Sequence, residues 1–180
     1  MVLVTERLIL RPLEQADAAT VQRLAGDSEI ARTTLHIPHP YPEGAASEWI
    51  EATLVAAVSG RGCTWAITRR DEHRLIGVVS LGIVAEHGRA ELAYWLGKNF
   101  WGQGYTTEAA QRLVEHGFAT LNLHRIYAYA MARNPASSRV MQKIGMMYEG
   151  RLVQHICKWG DYEDLDAYGI LNPLCASNSL

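Results

Sequence analysis

Phe100-Trp101-Gly102-Gln103-Gly104-Tyr105-Thr106-Thr107-Glu108-Ala109 joins two different hydrophobic periods. An apolar segment, 90–97, leads into it. Beyond it, Ala110, Leu113, Val114, Gly117, Phe118 and Leu121 recur at helical spacing. A strand therefore enters a glycine-punctuated turn, and a helix over 104–121 leaves it. Gly102 and Gly104 let the backbone pass close to a ligand without a Cβ in the way. The helix start offers N–H groups with no intrahelical partner and the positive end of the helix dipole. Together these features bind phosphate. The same residues also suit an ordinary strand-to-helix connection, so the rest of the chain has to decide.

Working outward, 63–68, 75–84 and 90–97 read as three strands, joined by the charged turn 69–74 and the turn 86–88. Short turns make them an antiparallel meander. After the helix, 125–132 reads as a strand that completes a strand–helix–strand unit. The strands 90–97 and 125–132 are thus expected to be parallel. Asn134, Pro135 and Gly145 bracket a compact helix as N-cap, first residue and C-terminal cap. Segments 147–159 and 162–171 follow as a strand pair turning at Gly160-Asp161. Towards the N-terminus, 5–13 reads as a first strand, 17–24 as a helix, 28–33 as a short helical piece and 45–58 as a helix. Between these last two, the proline-rich loop 36–42 is expected to be a rigid surface connector, though its His and Tyr suit a pocket wall.

The 180 residues suit one domain, expected over 1–174 with a short tail at 175–180. The composition, 48% hydrophobic and 20% charged, is that of a soluble globular protein. A net charge of −2 gives no electrostatic case for direct nucleic-acid binding. No apolar run approaches the roughly 20 residues that span a bilayer, so no membrane role is expected. Cys63, Cys157 and Cys175 are widely spaced, and the seven histidines form no metal motif. Free thiols in a reducing cytoplasm, and no metal, are the expectation.

Four pieces in order carry a family resemblance. They are Thr5-Glu-Arg-Leu-Ile-Leu-Arg-Pro12, Glu91-Leu-Ala-Tyr-Trp-Leu96, Trp101-Gly-Gln-Gly-Tyr-Thr106, and Asn134-Pro-Ala-Ser137 continuing to Lys143-Ile-Gly145. The chain resembles the GNAT superfamily of N-acetyltransferases, within it the RimJ/RimL-type group that acetylates protein N-termini. The resemblance implies an α/β (α+β) fold with a mixed, mostly antiparallel seven-stranded sheet. Its central parallel strands splay apart, and helices cover both faces. It implies acetyl-CoA as the donor and an amine as acceptor, in a monomer or homodimer. The superfamily's turn, Gln/Arg-x-x-Gly-x-Gly/Ala, falls on Trp101, Gly104 and Thr106, and only Gly104 matches strictly. Backbone N–H groups of Gly102, Gln103, Gly104, Tyr105, Thr106 and Thr107 are the expected pyrophosphate donors. Trp95, Leu96, Gly97 and Asn134 are expected along the pantetheine arm. By its residue type alone, Asn134 is a helix cap, and the two roles are compatible.

Acetyl transfer from a thioester to an amine needs a neutral nucleophile, a stabilised carbonyl oxygen and a leaving thiolate. Glu91 is the candidate base; a structural pairing with Arg89 or a water relay is the alternative. A backbone N–H near Leu96 or Gly97 is expected at the carbonyl oxygen. Ser137, by the resemblance, is the candidate donor to the leaving sulfur, with Tyr94 and Tyr129 as further hydroxyls. Acceptor contacts are expected from Tyr41 in the loop, Trp49, Tyr94 and His155. Direct transfer in a ternary complex is preferred over an acetyl-cysteine route. The acceptor is expected to be a protein N-terminal α-amine, with a small amine as the alternative and a non-catalytic acyl-CoA sensor behind it.

Overall fold

One sheet of eight strands organises the computed structural model of the chain, which describes residues 1–173. The strands are β1 (Leu3–Val4), β2 (Leu8–Pro12), β3 (Gly62–Arg69), β4 (Leu75–Val84), β5 (Arg89–Leu96), β6 (Arg125–Met131), β7 (Met147–Lys158) and β8 (Asp161–Leu171). They lie in chain order, except that β8 sits between β6 and β7. Among the described residues, only β5 and β6 pair in parallel. Seven strands were expected; the eighth is the two-residue β1. Thr5 makes it by reversing the chain: its N–H donates to the Leu8 carbonyl and its Oγ1 accepts from the Leu8 N–H, both at 3.0 Å. Two residues carry no alternation to read, so this strand was invisible in the sequence.

The helices divide between the two faces. Helices α1 (Ala18–Ala25), α2 (Ser28–Ala31) and α3 (Ala45–Val58) precede the meander. Val21, Ala25, Ala46 and Ile50 of α1 and α3 pack on Ala66, Leu75 and Val78 of the sheet. Helices α4 (Tyr105–Ala119) and α5 (Pro135–Lys143) cover the other face. There Ala109, Ala110, Leu113 and Met141 pack on Val79, Leu81, Leu92, Ile126 and Ala128. The late hairpin turns at Trp159 and Gly160, with φ of 55° and 94°, and Asp161 already belongs to β8. Two positive φ values in a two-residue loop match the right-handed twist of the strands.

The feature that positions the site is a break in pairing. β5 and β6 pair only over Arg89–Glu91 and Arg125–Tyr127. Beyond that, β5 stays on β4 to Leu96, and β6 stays on β8 to Met131. The two strands separate and leave a gap in the middle of the sheet. Cys175 and the expected tail, with the boundary at 174, lie outside the described residues. Among the described residues, no helix is long and apolar enough to cross a membrane.

Candidate active site

The gap opens into a cavity of about 770 Å³, walled on one side by the turn at 101–107 and on the other by the start of α5. Gly102 and Gly104 have φ of 74° and 81°. Both glycines are therefore needed where they stand, since left-handed backbone disfavours any side chain. Gly104 is the N-cap of α4, and among the described residues no side chain caps that helix start. Tyr105, Thr106 and Thr107 of its first turn line the cavity.

The turn is clamped by the chain's N-terminal segment. Glu108, in the first turn of α4, accepts from Thr5 Oγ1 at 2.6 Å, from the Arg7 backbone N–H at 2.8 Å and from Arg7 Nε at 2.7 Å. Arg7 also donates to the Gln103 carbonyl at 2.9 Å and lies over the Tyr105 ring. Burial alone would raise the Glu108 carboxyl, but the bonds from Thr5 and Arg7 outweigh it and hold the group below the ordinary range. Thr5 and Arg7 thus tie the opening motif to the glycine turn.

Backbone direction along β5 decides which groups reach the gap. The Gly97 N–H donates to the Ile76 carbonyl at 2.8 Å. Bonding residues alternate along an antiparallel pair, so Trp95 and Ala93 also turn their N–H groups to β4. Tyr94 and Leu96, beyond the last position paired with β6, turn theirs into the gap. The expected oxyanion donor at Leu96 or Gly97 is therefore narrowed to Leu96, because Gly97 is already engaged. The Leu96 carbonyl accepts from Trp101 Nε1 at 2.6 Å, which ties the turn to the strand end.

On the α4/α5 face, Tyr94 and Ser137 meet: the phenol oxygen is 2.9 Å from Ser137 Oγ and also donates to the Ser137 carbonyl at 3.2 Å. Enclosure pushes the Tyr94 phenol up to about 12, with the Ser137 bond pulling it partly back. The phenol stays protonated and keeps its donor. The phenol has one hydrogen, and either hydroxyl oxygen can be the donor between Tyr94 and Ser137: when the phenol hydrogen goes to Ser137 Oγ, the serine hydrogen is left for the cavity, and when it goes to the Ser137 carbonyl, the serine donates to the phenol oxygen. Asn134 caps α5 through its side-chain oxygen, which accepts from the Ser137 N–H at 3.3 Å. An amide has two ends, so the Asn134 NH₂ remains a donor towards the cavity it lines.

Glu91 lies at the last paired position of β5, where the gap begins. By the alternation of side chains it shares the α1/α3 face with Trp95. Burial pushes its carboxyl above the ordinary carboxylate range, and His36 pulls it partly back. Among the described residues, no hydrogen bond or ion pair engages that carboxylate. Tyr41, Trp49 and Tyr129 line the same cavity, as do His36, Ile37 and Pro38 of the proline-rich loop. That loop is a cavity wall and not a plain surface connector.

Three expected residues are not brought into the cavity lining: Gln103, Gly97 and His155, the last exposed on β7. Arg139 and Lys143 do line it, one turn apart on α5. Sequence reasoning passed over them, although their i,i+4 spacing was readable. Cys63 and Cys157 are absent from the lining, and burial pushes the Cys63 thiol up. Among the described residues, no group of three or more His, Cys, Asp or Glu side chains is placed to hold a metal.

A splayed parallel pair, a glycine-turn helix start facing the gap and an Asn–Ser helix opposite it form one constellation. The acetyltransferase (GNAT) domain family matches residues 7–147 of this chain. The chain belongs to the GNAT family. It is an N-acetyltransferase, as its relatives are. The uncharacterized N-acetyltransferase YoaA of Bacillus subtilis (strain 168) is 32% identical over 173 residues, covering 96% of this chain and 97% of that protein. The ribosomal-protein-serine acetyltransferase of Escherichia coli (strain K12) is 33% identical over 120 residues, or 66% of each chain. Among solved structures, the spermidine N-acetyltransferase from Vibrio cholerae in complex with CoA and spermine superposes with a TM-score of 0.80 at 25% identity, covering 93% of this chain and 97% of that one. The GNAT relatives thus include enzymes for protein and for polyamine acceptors.

Proposed function

We propose that this GNAT enzyme transfers the acetyl group of acetyl-CoA directly to a protein N-terminal α-amine. One observation carries the choice of acceptor: among the described residues that line the cavity, Glu91 is the sole carboxylate, against Arg139, Lys143 and His36. A polyamine brings several ammonium groups and needs several carboxylates to replace their water. A peptide N-terminus brings one amine and an uncharged backbone. Its amine has a pKa of about 7.7–8, against about 10.4 for a lysine, so much of it is already neutral near pH 7. A single carboxylate raised towards neutrality then suffices as base.

The residues present fit acetyl-CoA. The α4 N-terminus and its two left-handed glycines suit the pyrophosphate, and the gap between β5 and β6 suits the extended arm. Asn134 NH₂ and the backbone groups of Tyr94 suit the amides of that arm. When bound, the donor supplies an activated acetyl thioester. Glu91 takes the proton from the attacking amine. The Leu96 N–H stabilises the charge that grows on the carbonyl oxygen. Ser137 Oγ–H donates to the departing sulfur, with Tyr94 holding the serine in that orientation. A thiol with a pKa of about 8.5 is a good leaving group, so a hydrogen bond is enough.

The test is to follow thiol release from acetyl-CoA with a panel of N-terminal peptides, spermidine, free amino acids and aminoglycosides. Turnover confined to peptides supports the proposal. Turnover confined to small amines overturns the acceptor but keeps the chemistry. CoA binding with no turnover on any acceptor points to a sensor instead.

A further inference from the structure

The segment between α2 and α3 crosses the acceptor side of the cavity as a strap without regular structure. Thr33, Thr34, Leu35, His36, Ile37 and Pro38 line the cavity. At its two ends the strap is held by its own surroundings. Thr34 Oγ1 donates to the Ile30 carbonyl at 2.9 Å, and Gln22 donates to the Pro42 carbonyl at 3.0 Å. From 35 to 40, in contrast, the hydrogen bonds among the described residues both come from one side chain. Lys158 Nζ, at the end of β7, donates to the Ile37 carbonyl at 2.8 Å and to the Leu35 carbonyl at 3.3 Å.

Lys158 is an unusual residue for this position. It is only 6% exposed, and no carboxylate pairs with it among the described residues. Burying an ammonium is costly unless its donors are satisfied. Here the strap carbonyls satisfy two of its three donors, and the Trp159 ring lies 5.1 Å away. Two neighbours support the same contact. His39 meets Trp159 with ring centroids 6.0 Å apart, and Arg133 donates to the Arg32 carbonyl at 2.9 Å. The strap therefore has its shape because the late hairpin holds it, not because of its own backbone bonds.

We propose that Lys158 is a positioning residue for the acceptor: its buried ammonium fixes the strap as one wall of the acceptor half of the cavity. Lys158 touches no reacting atom. It acts through Leu35 and Ile37, whose carbonyls it orients, and so through His36 between them, which faces Glu91 electrostatically. Among the described residues, no hydrogen bond or ion pair joins it to the donor half, built from the α4 turn and α5. This inference rests on the reading of the strap as an acceptor wall, whichever amine is the acceptor.

The test is Lys158→Met in the full chain, with Lys158→Arg beside it. Two readouts are taken. The first needs no acceptor: thermolysin cleavage before Leu35, followed by mass spectrometry, with other sites as a control for global unfolding. Faster cutting of the strap by about tenfold is expected in Lys158→Met, the size of one lost charge-assisted bond, with partial protection restored in Lys158→Arg. The second is steady-state kinetics on the best amine of the panel. Acceptor KM should rise about tenfold, while KM for acetyl-CoA stays within about twofold. Unchanged strap cleavage overturns the clamp. Faster cleavage with an unchanged acceptor KM, or equal rises in both KM values, overturns the positioning role. If Lys158→Met does not fold, Lys158→Arg alone must show an altered acceptor KM with donor KM kept, or the proposal fails. An absence of turnover on any amine refutes the proposed function and leaves the cleavage result to decide the clamp.

Discussion

In the proposed mechanism, Ser137, Tyr94 and Glu91 divide the chemistry between the two faces of the gap. Tyr94 and Ser137 share a short hydroxyl contact of 2.9 Å on one face, and Glu91 stands on the other. Removing the Ser137 hydroxyl should lower kcat about 10²-fold and leave acetyl-CoA affinity within about twofold, since the bond strengthens only as the sulfur gains charge. Single-turnover kinetics with Ser137→Ala check this, and a full chemical rate sinks the assignment. Tyr94→Phe should lower kcat less, about tenfold, because the serine survives but loses its orientation. Glu91 carries a pH prediction. Its carboxyl is raised by burial, and a base must be ionised to work. Activity should therefore fall as pH drops through a value above that of an ordinary glutamate. Glu91→Gln should abolish that limb and cost about 10²-fold in kcat/KM. A pH–rate profile that keeps the same limb in Glu91→Gln transfers the role to water. These three residue types were legible in the sequence, but the contact between Tyr94 and Ser137 was not, because 43 positions separate them.

At the scale of elements, the glycine turn is held as much from outside as by its own conformation. Glu108 joins the start of α4 to Thr5 and Arg7, and Arg7 reaches on to the Gln103 carbonyl. Glu108→Gln keeps the shape but replaces charged bonds with neutral ones, a loss of about 1–2 kcal/mol at a partly exposed site. The turn should loosen, and KM for acetyl-CoA should rise about fivefold to tenfold with little change in acceptor KM. Calorimetric titration of CoA reads the donor side directly, and an unchanged affinity shows that the clamp serves stability alone. The sequence placed the turn and its helix within two residues of the observed start and end of α4. It did so because a glycine at positive φ and a 3.6-residue apolar period are local properties. It missed β1, whose two residues have no period, and it placed the late turn one residue too far along, since Trp159 is an unexpected residue at φ of 55°.

For the whole molecule, the gap exists because both flanks of the sheet are firmly packed while β5 and β6 part. Leu113 of α4 is fully buried in the larger core, beside Leu81, Leu92 and Ile126. Leu113→Ala should cost about 2–5 kcal/mol of stability, read as a lowered denaturation midpoint. An activity per folded molecule close to wild type is expected, because Leu113 does not itself line the cavity. The sequence by itself determined the family, the order of elements, the parallel β5–β6 unit and the phosphate-suited turn. The family follows from the resemblance of four motifs; the rest follows from local backbone preference, from hydrophobic period and from the handedness of a strand–helix–strand connection. Tertiary structure alone decided which N–H groups of β5 face the gap, that Gly97 is engaged by Ile76, that Thr5 clamps Glu108 across 103 positions and that Lys158 holds Ile37 across 121. Such contacts depend on register and on distant segments meeting, and no period within one segment encodes its partner.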